Sequence, residues 1–251
     1  MGHLSITKTS CMKRILILSA MPLILFSSCR QIFGKRIRGN GQIKTETRNA
    51  GSFSNIDVSG NINVYVKQDS VSLVKVETDE NLLEYIIVEN DGGTLKIHPK
   101  ENMRLKSSKS IKVYISNSSF KHFKTSGACD IISENKINSK DALTFKLTGA
   151  GEIKMKLNAP SVKVDLSGAG TITLSGETKD FMVDGSGATE INCFDLKSEN
   201  TYIELSGAGD AEVFASVKLD VHVSGAADVK YKGNAIVSQS VSGAGSVKKV
   251  E

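Results

Sequence analysis

The chain of 251 residues has no tryptophan, three prolines, four cysteines and four histidines. With aromatics at only 6%, the core has to be thin and aliphatic, unlike that of a bulky globular domain. Scarce proline beside 22 glycines fits a turn-rich β chain and excludes low-complexity disorder. His98, His122 and His222 are scattered, and no pair has metal-ligand spacing. There is no Cys-x-x-Cys, no Gly-x-Ser-x-Gly elbow and no Walker-type loop. The net charge of +5 comes without a basic stripe interleaved with aromatics, so no nucleic-acid partner is expected. No cofactor is implied.

What the chain does have is an internal repeat. Ser or Thr followed by Gly-Ala begins at Ser126, Thr148, Ser167, Ser186, Ser206, Ser224 and Ser242, in steps of 22, 19, 19, 20, 18 and 18 residues. A period near twenty marks a stacked array. Gly127, Gly149, Gly168, Gly187, Gly207, Gly225 and Gly243 never vary between copies, as expected where φ is positive or a neighbour comes close. The Ala after each is also constant. The third position holds Cys129, Gly151, Gly170, Thr189, Gly209, Ala227 and Gly245. A β-branched Thr there argues against a left-handed backbone and points to small size as the shared demand.

Period-two alternation flanks each corner. Ile153, Met155 and Leu157 oppose Glu152, Lys154 and Lys156, and Leu219, Val221 and Val223 oppose Asp220 and His222. Two half-buried strands per repeat follow. An antiparallel meander would put Asn-Gly or Asp-Gly at its hairpins. Identical small corners suit parallel coils about 4.8 Å apart instead, with Ser/Thr hydroxyls in a ladder and Ala filling the interior angle. The fold class expected is therefore all-β, a parallel β-helix-like solenoid of short coils with a less regular β N-terminal portion. Gly149-Ala150-Gly151 lacks the third glycine of a nucleotide loop and reads as one of these corners.

The first 28 residues read as a signal peptide, with 1–11 a misplaced start ahead of Met12. Lys13-Arg14, the uncharged run Ile15 to Phe26 and Ser27-Ser28-Cys29 follow the basic, apolar, small order of a secretory leader, and the run is too short to span a bilayer. The pattern resembles a bacterial lipoprotein signal, which makes Cys29 the lipidated first residue and 29–47 a tether. Arg30, Lys35, Arg36 and Arg38 then sit over anionic headgroups or simply solvate that tether. Without Lys8, Lys13 and Arg14 the mature chain carries 29 basic and 27 acidic groups, a net +2. Cys129 and Cys193, about three coils apart, are too distant for a disulfide and read as buried fillers.

Residues 48–124 are β-patterned but less regular, and 125–251 hold the repeat proper. Asn90-Asp91-Gly92-Gly93 marks a hairpin between Tyr85-Val88 and Thr94-His98, and Ile56-Asp57-Val58-Ser59-Gly60 echoes Val164-Asp165-Leu166-Ser167-Gly168. The first region is thus expected to be the diverged start of the array, capping its first coil. Ser59-Gly60-Asn61-Ile62-Asn63, the Ser-Gly-Ala series and the leader together resemble the auto-transporter adhesin family known as the head GIN domain, common in envelope proteins of Bacteroidetes. The likeness covers about residues 48–240. It implies an exported β-helix-like protein of the bacterial cell envelope, and it brings no catalytic residues with it. Arg30, Gln31 and Lys35 stand where surface lipoproteins of such bacteria often carry acids, so an outer-membrane lipoprotein facing either the periplasm or the exterior is expected.

Two chemistries deserve weighing. Asp130, Glu152, Glu190, Asp210 and Asp228 follow the corner triplet, interrupted by Thr171 and Ser246. Stacked, they would form either a calcium-attracting ladder or a solvated edge neutralised by Lys154 and Lys230, and the solvated edge is preferred. Tyr114, Tyr202 and Phe214 fall at outward positions and suit sugar stacking, whereas His222 beside Asp220 reads as an exposed structural residue. The expected function is a non-enzymatic envelope lipoprotein, tethered to the membrane by its lipid, whose solenoid offers an adhesin-like binding surface or a structural one, with a glycan or an envelope protein as the candidate ligand. The alternative is a carbohydrate-active β-helix enzyme, a polysaccharide lyase or hydrolase. Lys248 and Lys249 guard the last strand and favour a monomer.

Overall fold

The computed structural model describes Gly2 and residues 34–251. The leader, Cys11 and the proposed lipidation site Cys29 lie outside the described residues. Residues 35–251 form one unit, a β-solenoid of stacked parallel coils. Each coil contributes one strand before its Ser-Gly-Ala corner and one after it.

Ser59, Ser126, Thr148, Ser167, Ser186, Ser206, Ser224 and Ser242 occupy one row, each in register with the next. The echo at Ser59-Gly60 is thus an eighth corner. Every glycine in the neighbouring row has positive φ, from 91° at Gly127 to 128° at Gly225. A Cβ on Gly168 would lie 2.6 Å from the Gly149 carbonyl oxygen of the coil beneath. Left-handed backbone and close approach are both required, and only glycine meets them together. The third-position glycines, such as Gly151, lack positive φ and are held to small size by packing.

The constant alanine does not fill the interior. Ala128, Ala150, Ala169, Ala188, Ala208, Ala226 and Ala244 are exposed, while the third-position residues are buried or half-buried. Period-two alternation continues through the corner, which puts the alanine at an outward position. Its amide is what the corner uses, as Ala188 N–H donates to the Gly168 carbonyl at 2.8 Å and Ala208 N–H to Gly187 at 2.8 Å. The hydroxyl ladder is likewise one of position. Ser186 Oγ donates to the Leu166 carbonyl at 3.4 Å, not to a neighbouring hydroxyl.

Inward residues two before and two after each glycine share the corner volume. They run Leu147/Gly151, Leu166/Gly170, Leu205/Gly209, Val223/Ala227 and Thr125/Cys129, with the order reversed at Gly185/Thr189. At Gly149, Gly168 and Gly207 a Leu on one limb goes with a Gly on the other, whereas Val58 and Ile62, which flank Gly60 in the same way, are both large and buried. Further along, Phe120, Phe123 and Phe145 stack inside the coils with ring centroids 5.6 and 5.3 Å apart. Cys129 and Cys193 are buried free thiols, and burial pushes them up to about 11 and about 12.

The N-terminal portion is threaded out of chain order. Asn55–Gly60 and Asn63–Gln68 build the coil next to His122–Gly127 and Asp130–Ser133. The intervening chain builds outward from that coil's other side, where Thr94–Pro99 and Lys112–Asn117 pair in parallel with it. Antiparallel strands Ile86–Asp91, Leu73–Asp79 and Ile43–Arg48 then close this end, with Leu82 and Leu83 of the 3-10 turn Glu80–Tyr85 buried. The Ile86–Asp91 and Thr94–Pro99 strands form the hairpin expected at Asn90-Asp91-Gly92-Gly93.

The stretch expected to be a tether is partly structured. Lys35–Arg38 pairs in parallel with Met103–Lys106, and Ile43–Arg48 pairs with Leu73–Asp79. Buried Asp79 ties this segment down. Its carboxylate accepts from Gly41 N–H at 2.7 Å, Ser108 N–H at 2.8 Å and the Ser108 hydroxyl at 2.7 Å. A Cβ on Gly39 would strike that carboxylate, so the chain can pass over it only as glycine.

Candidate binding surface

Function has to be sought in the outward columns, because the inward ones and the corners are occupied by packing. The column after the corner triplet reads Lys112, Asn63, Asp130, Glu152, Thr171, Glu190, Asp210, Asp228 and Ser246 along the stack. The acidic residues singled out from the repeat do share one row. Several are engaged locally: Asp130 accepts from Glu152 N–H at 3.0 Å, Glu190 from the Thr171 hydroxyl at 3.3 Å and Asn192 at 3.0 Å, and Asp228 from the Ser246 hydroxyl at 2.7 Å. That last bond holds the Asp228 carboxyl below its ordinary value. Among the described residues no three His, Cys, Asp or Glu side chains are placed to hold a metal ion. Lys230 pairs with Glu212 at 3.4 Å in the adjoining outward row.

A second outward column, three residues before each corner glycine, reads Asp57, Lys124, Lys146, Asp165, Asp184, Glu204, His222 and Ser240 along the stack, with three acids in succession at Asp165, Asp184 and Glu204. Sequence reasoning did not single it out, although outward parity at a constant offset from the glycine was available as a signal. Beside it, five residues before the glycine, Met182, Tyr202 and Asp220 lie in register. Met182 and Tyr202 are 38% and 39% exposed, rare for large apolar side chains on this molecule. They border a depression of about 320 Å³ together with Ser161, Asp180, Asn200 and Asp220.

The geometry there is ordered. Tyr202 donates from its hydroxyl to Glu204 Oε2 at 3.2 Å and meets the His222 ring at 5.7 Å between centroids. His222 Nε2 lies 3.3 Å from Asp220 Oδ1, and Asn200 donates to Asp180 Oδ1 at 2.8 Å. Partial burial, the bond to Glu204 and the nearby Asp220 and Asp184 carboxylates push the Tyr202 phenol up, so it stays a neutral donor. The result is an aromatic and thioether platform rimmed by carboxylates and an amide. Such a surface can stack a flat apolar face and bind hydroxyl groups around its edge.

The other outward aromatics differ. Tyr114 is stacked on Tyr65 at 5.2 Å, and Phe214 lies under Lys197 Nζ at 4.3 Å. A larger trough of about 550 Å³ follows the opposite corner past Lys140, Asn158, Glu177, Lys179 and Glu199, and no aromatic lines it.

Comparison with known proteins adds the lineage. The fold matches a putative adhesin of Bacteroides fragilis at TM-score 0.81 and 22% identity, over 85% of this chain and all of that one. It matches a putative lipid binding protein of Parabacteroides distasonis at TM-score 0.69 and 26% identity, over 86% of this chain and all of that one. A putative adhesin of the same organism matches at TM-score 0.69 and 23% identity, again over 86% of this chain and all of that one. No curated protein matches the chain. Residues 52–235 match the model of the family described as "Putative auto-transporter adhesin, head GIN domain", and the chain belongs to that family.

Proposed function

We propose that this protein is a non-enzymatic, monomeric lipoprotein of the bacterial cell envelope, acylated at Cys29, whose solenoid binds a glycan at the Tyr202 platform. The observation that carries the ligand class is the Met182–Tyr202 surface bordered by Asp180, Asn200, Glu204 and Asp220. A sugar ring offers the matching chemistry, with C–H groups on one face and hydroxyls at its rim. Family membership and the adhesin names of its structural relatives support a surface-binding role. The relative named for lipid binding is consistent with an envelope setting.

The test is titration of the full chain against a panel of envelope and host-type oligosaccharides. Loss of the ring in Tyr202→Ala should weaken binding about tenfold, the worth of roughly 1–1.5 kcal/mol of aromatic stacking. Equal affinity in the variant, or no glycan bound by the parent, rejects the platform. Metabolic labelling with a fatty-acid probe tests the anchor, and Cys29→Ala should abolish incorporation. Release of new reducing ends from any bound polysaccharide would favour the enzyme reading instead.

A further inference from the structure

The two-stranded ribbon of Lys35–Arg38 and Met103–Lys106 carries charge in an unusual way. Parallel register sets Arg36 opposite Arg104 and Arg38 opposite Lys106. Like charges directly across a strand pair repel. All four side chains are exposed and share one face of the ribbon, because they alternate with Ile37, Met103 and Leu105. Those three are partly buried, and Leu105 packs against the hydrophobic core. The cationic face therefore points away from the protein body.

None of the four pairs with an acid among the described residues. Asp79, against Gly39, is buried and bound to Ser108 and Gly41, and Glu80 is taken by Lys44 at 2.7 Å. Lys100 and Lys109 flank the second strand and add to the charge. The ribbon is also fixed in place. Lys35 N–H donates to Asn102 and Gly39 N–H to Lys106, both at 2.9 Å, and Asn81 donates to the Arg38 carbonyl at 2.8 Å. Holding a repulsive quartet in one plane makes sense for an extended anionic surface.

We infer that this ribbon docks on the anionic phospholipid headgroups of the leaflet nearest the N-terminus. Only six residues of chain lead from Cys29 to Lys35, at most about 20 Å when fully extended. A chain inserted or acylated there brings the ribbon within reach of the headgroups. The inference shares the envelope setting proposed above but does not require acylation, since the electrostatic attraction belongs to the ribbon. Each cation near an anionic surface is worth about fivefold in binding.

The experiment uses the full chain with vesicles of phosphatidylcholine alone, and with about one third phosphatidylglycerol, at low salt and at about 0.5 M salt. Binding to the neutral vesicles reports the N-terminal apolar segment or lipid. The excess on anionic vesicles reports the ribbon. That excess should be at least tenfold, vanish in high salt, and fall about fivefold per cation in Arg36→Gln/Arg104→Gln. The charge-matched control Lys154→Gln/Lys156→Gln, altered at exposed positions of the strand Glu152–Gly168, should keep it. No anionic preference, or equal loss in the control, overturns the inference, as does parent binding to soluble heparin without any vesicle preference. Loss of neutral-vesicle binding with the anionic excess retained would instead count against the anchor alone.

Discussion

Thr189 occupies the corner volume that Gly185 leaves open: its Oγ1 lies 3.2 Å from where a Gly185 Cβ would be. Both residues point inward in the same coil. Three other corners, Leu147/Gly151, Leu166/Gly170 and Leu205/Gly209, carry Leu first and Gly second, so this coil puts its larger side chain on the opposite limb. Leu205 of the next coil also leans into the gap, 2.6 Å from the same hypothetical Cβ.

The exchange predicts strong coupling. Gly185→Leu alone overpacks the corner, and Thr189→Gly alone leaves a void, each costing about 1–3 kcal/mol. The double variant restores the pattern of the neighbouring coils and should recover at least 1 kcal/mol relative to the sum of the singles. Denaturant midpoints of the four proteins measure this directly, and simple additivity would reject shared volume.

A second prediction separates the two constant corner residues. Gly187 has φ of 105° and stacks on the Gly168 carbonyl, so Gly187→Ala should cost about 2–4 kcal/mol from backbone strain plus displacement of the coil beneath. Ala188 is exposed and contributes its amide. Ala188→Ser keeps that amide and should lie within about 0.5 kcal/mol of the parent. Thermal unfolding of both variants decides whether the glycine alone is structurally demanding.

Acid should loosen the N-terminal segment through Asp79. Burial pushes this carboxyl up, but the bonds from the Ser108 hydroxyl, Ser108 N–H and Gly41 N–H outweigh it and leave the group below its ordinary value. A depressed carboxylate contributes stability that is complete above its unfolded value, about pH 4, and is lost as pH falls through the folded one. The parent should therefore lose stability below about pH 4 more steeply than Asp79→Asn, which starts lower at neutral pH. Parallel pH dependences would exclude Asp79 as the titrating group.

Cys129 and Cys193 should resist alkylation in the native protein. Burial suppresses their thiolates, with the thiols pushed up to about 11 and about 12, and the thiolate is the reactive form. Peptide mapping after iodoacetamide treatment should find both unmodified at neutral pH and both labelled after unfolding. Labelling of Cys193 without unfolding would contradict its packing inside the coils.

Much of the architecture was legible because the repeat states it. Constant glycines at steps of 18 to 22 residues give the corners, and alternation gives the two limbs between them. The Ser59-Gly60 echo correctly joins the row. The hairpin at Asn90-Asp91-Gly92-Gly93 follows from turn chemistry alone. In the candidate surface, Tyr202 was visible through its outward parity. Met182 was not, because methionine on an outward position resembles any other surface residue until its neighbours in the stack are known.

Sequence by itself determined the coil period, the solenoid class, the constant corner glycines and the thin aliphatic core, since each depends on local backbone chemistry or on pattern within one repeat. Tertiary structure alone decided what depends on stacking between coils. It placed the 94–117 coil outside the 55–68 coil, against chain order, because a parallel edge stood open on that side. Stacking also aligned Asp165, Asp184 and Glu204 beside Tyr202, residues separated by 19 and 20 positions along the chain. It turned part of an expected tether into a cationic ribbon as well, because Met103–Lys106 supplies hydrogen-bond partners that Lys35–Arg38 cannot find in its own neighbourhood.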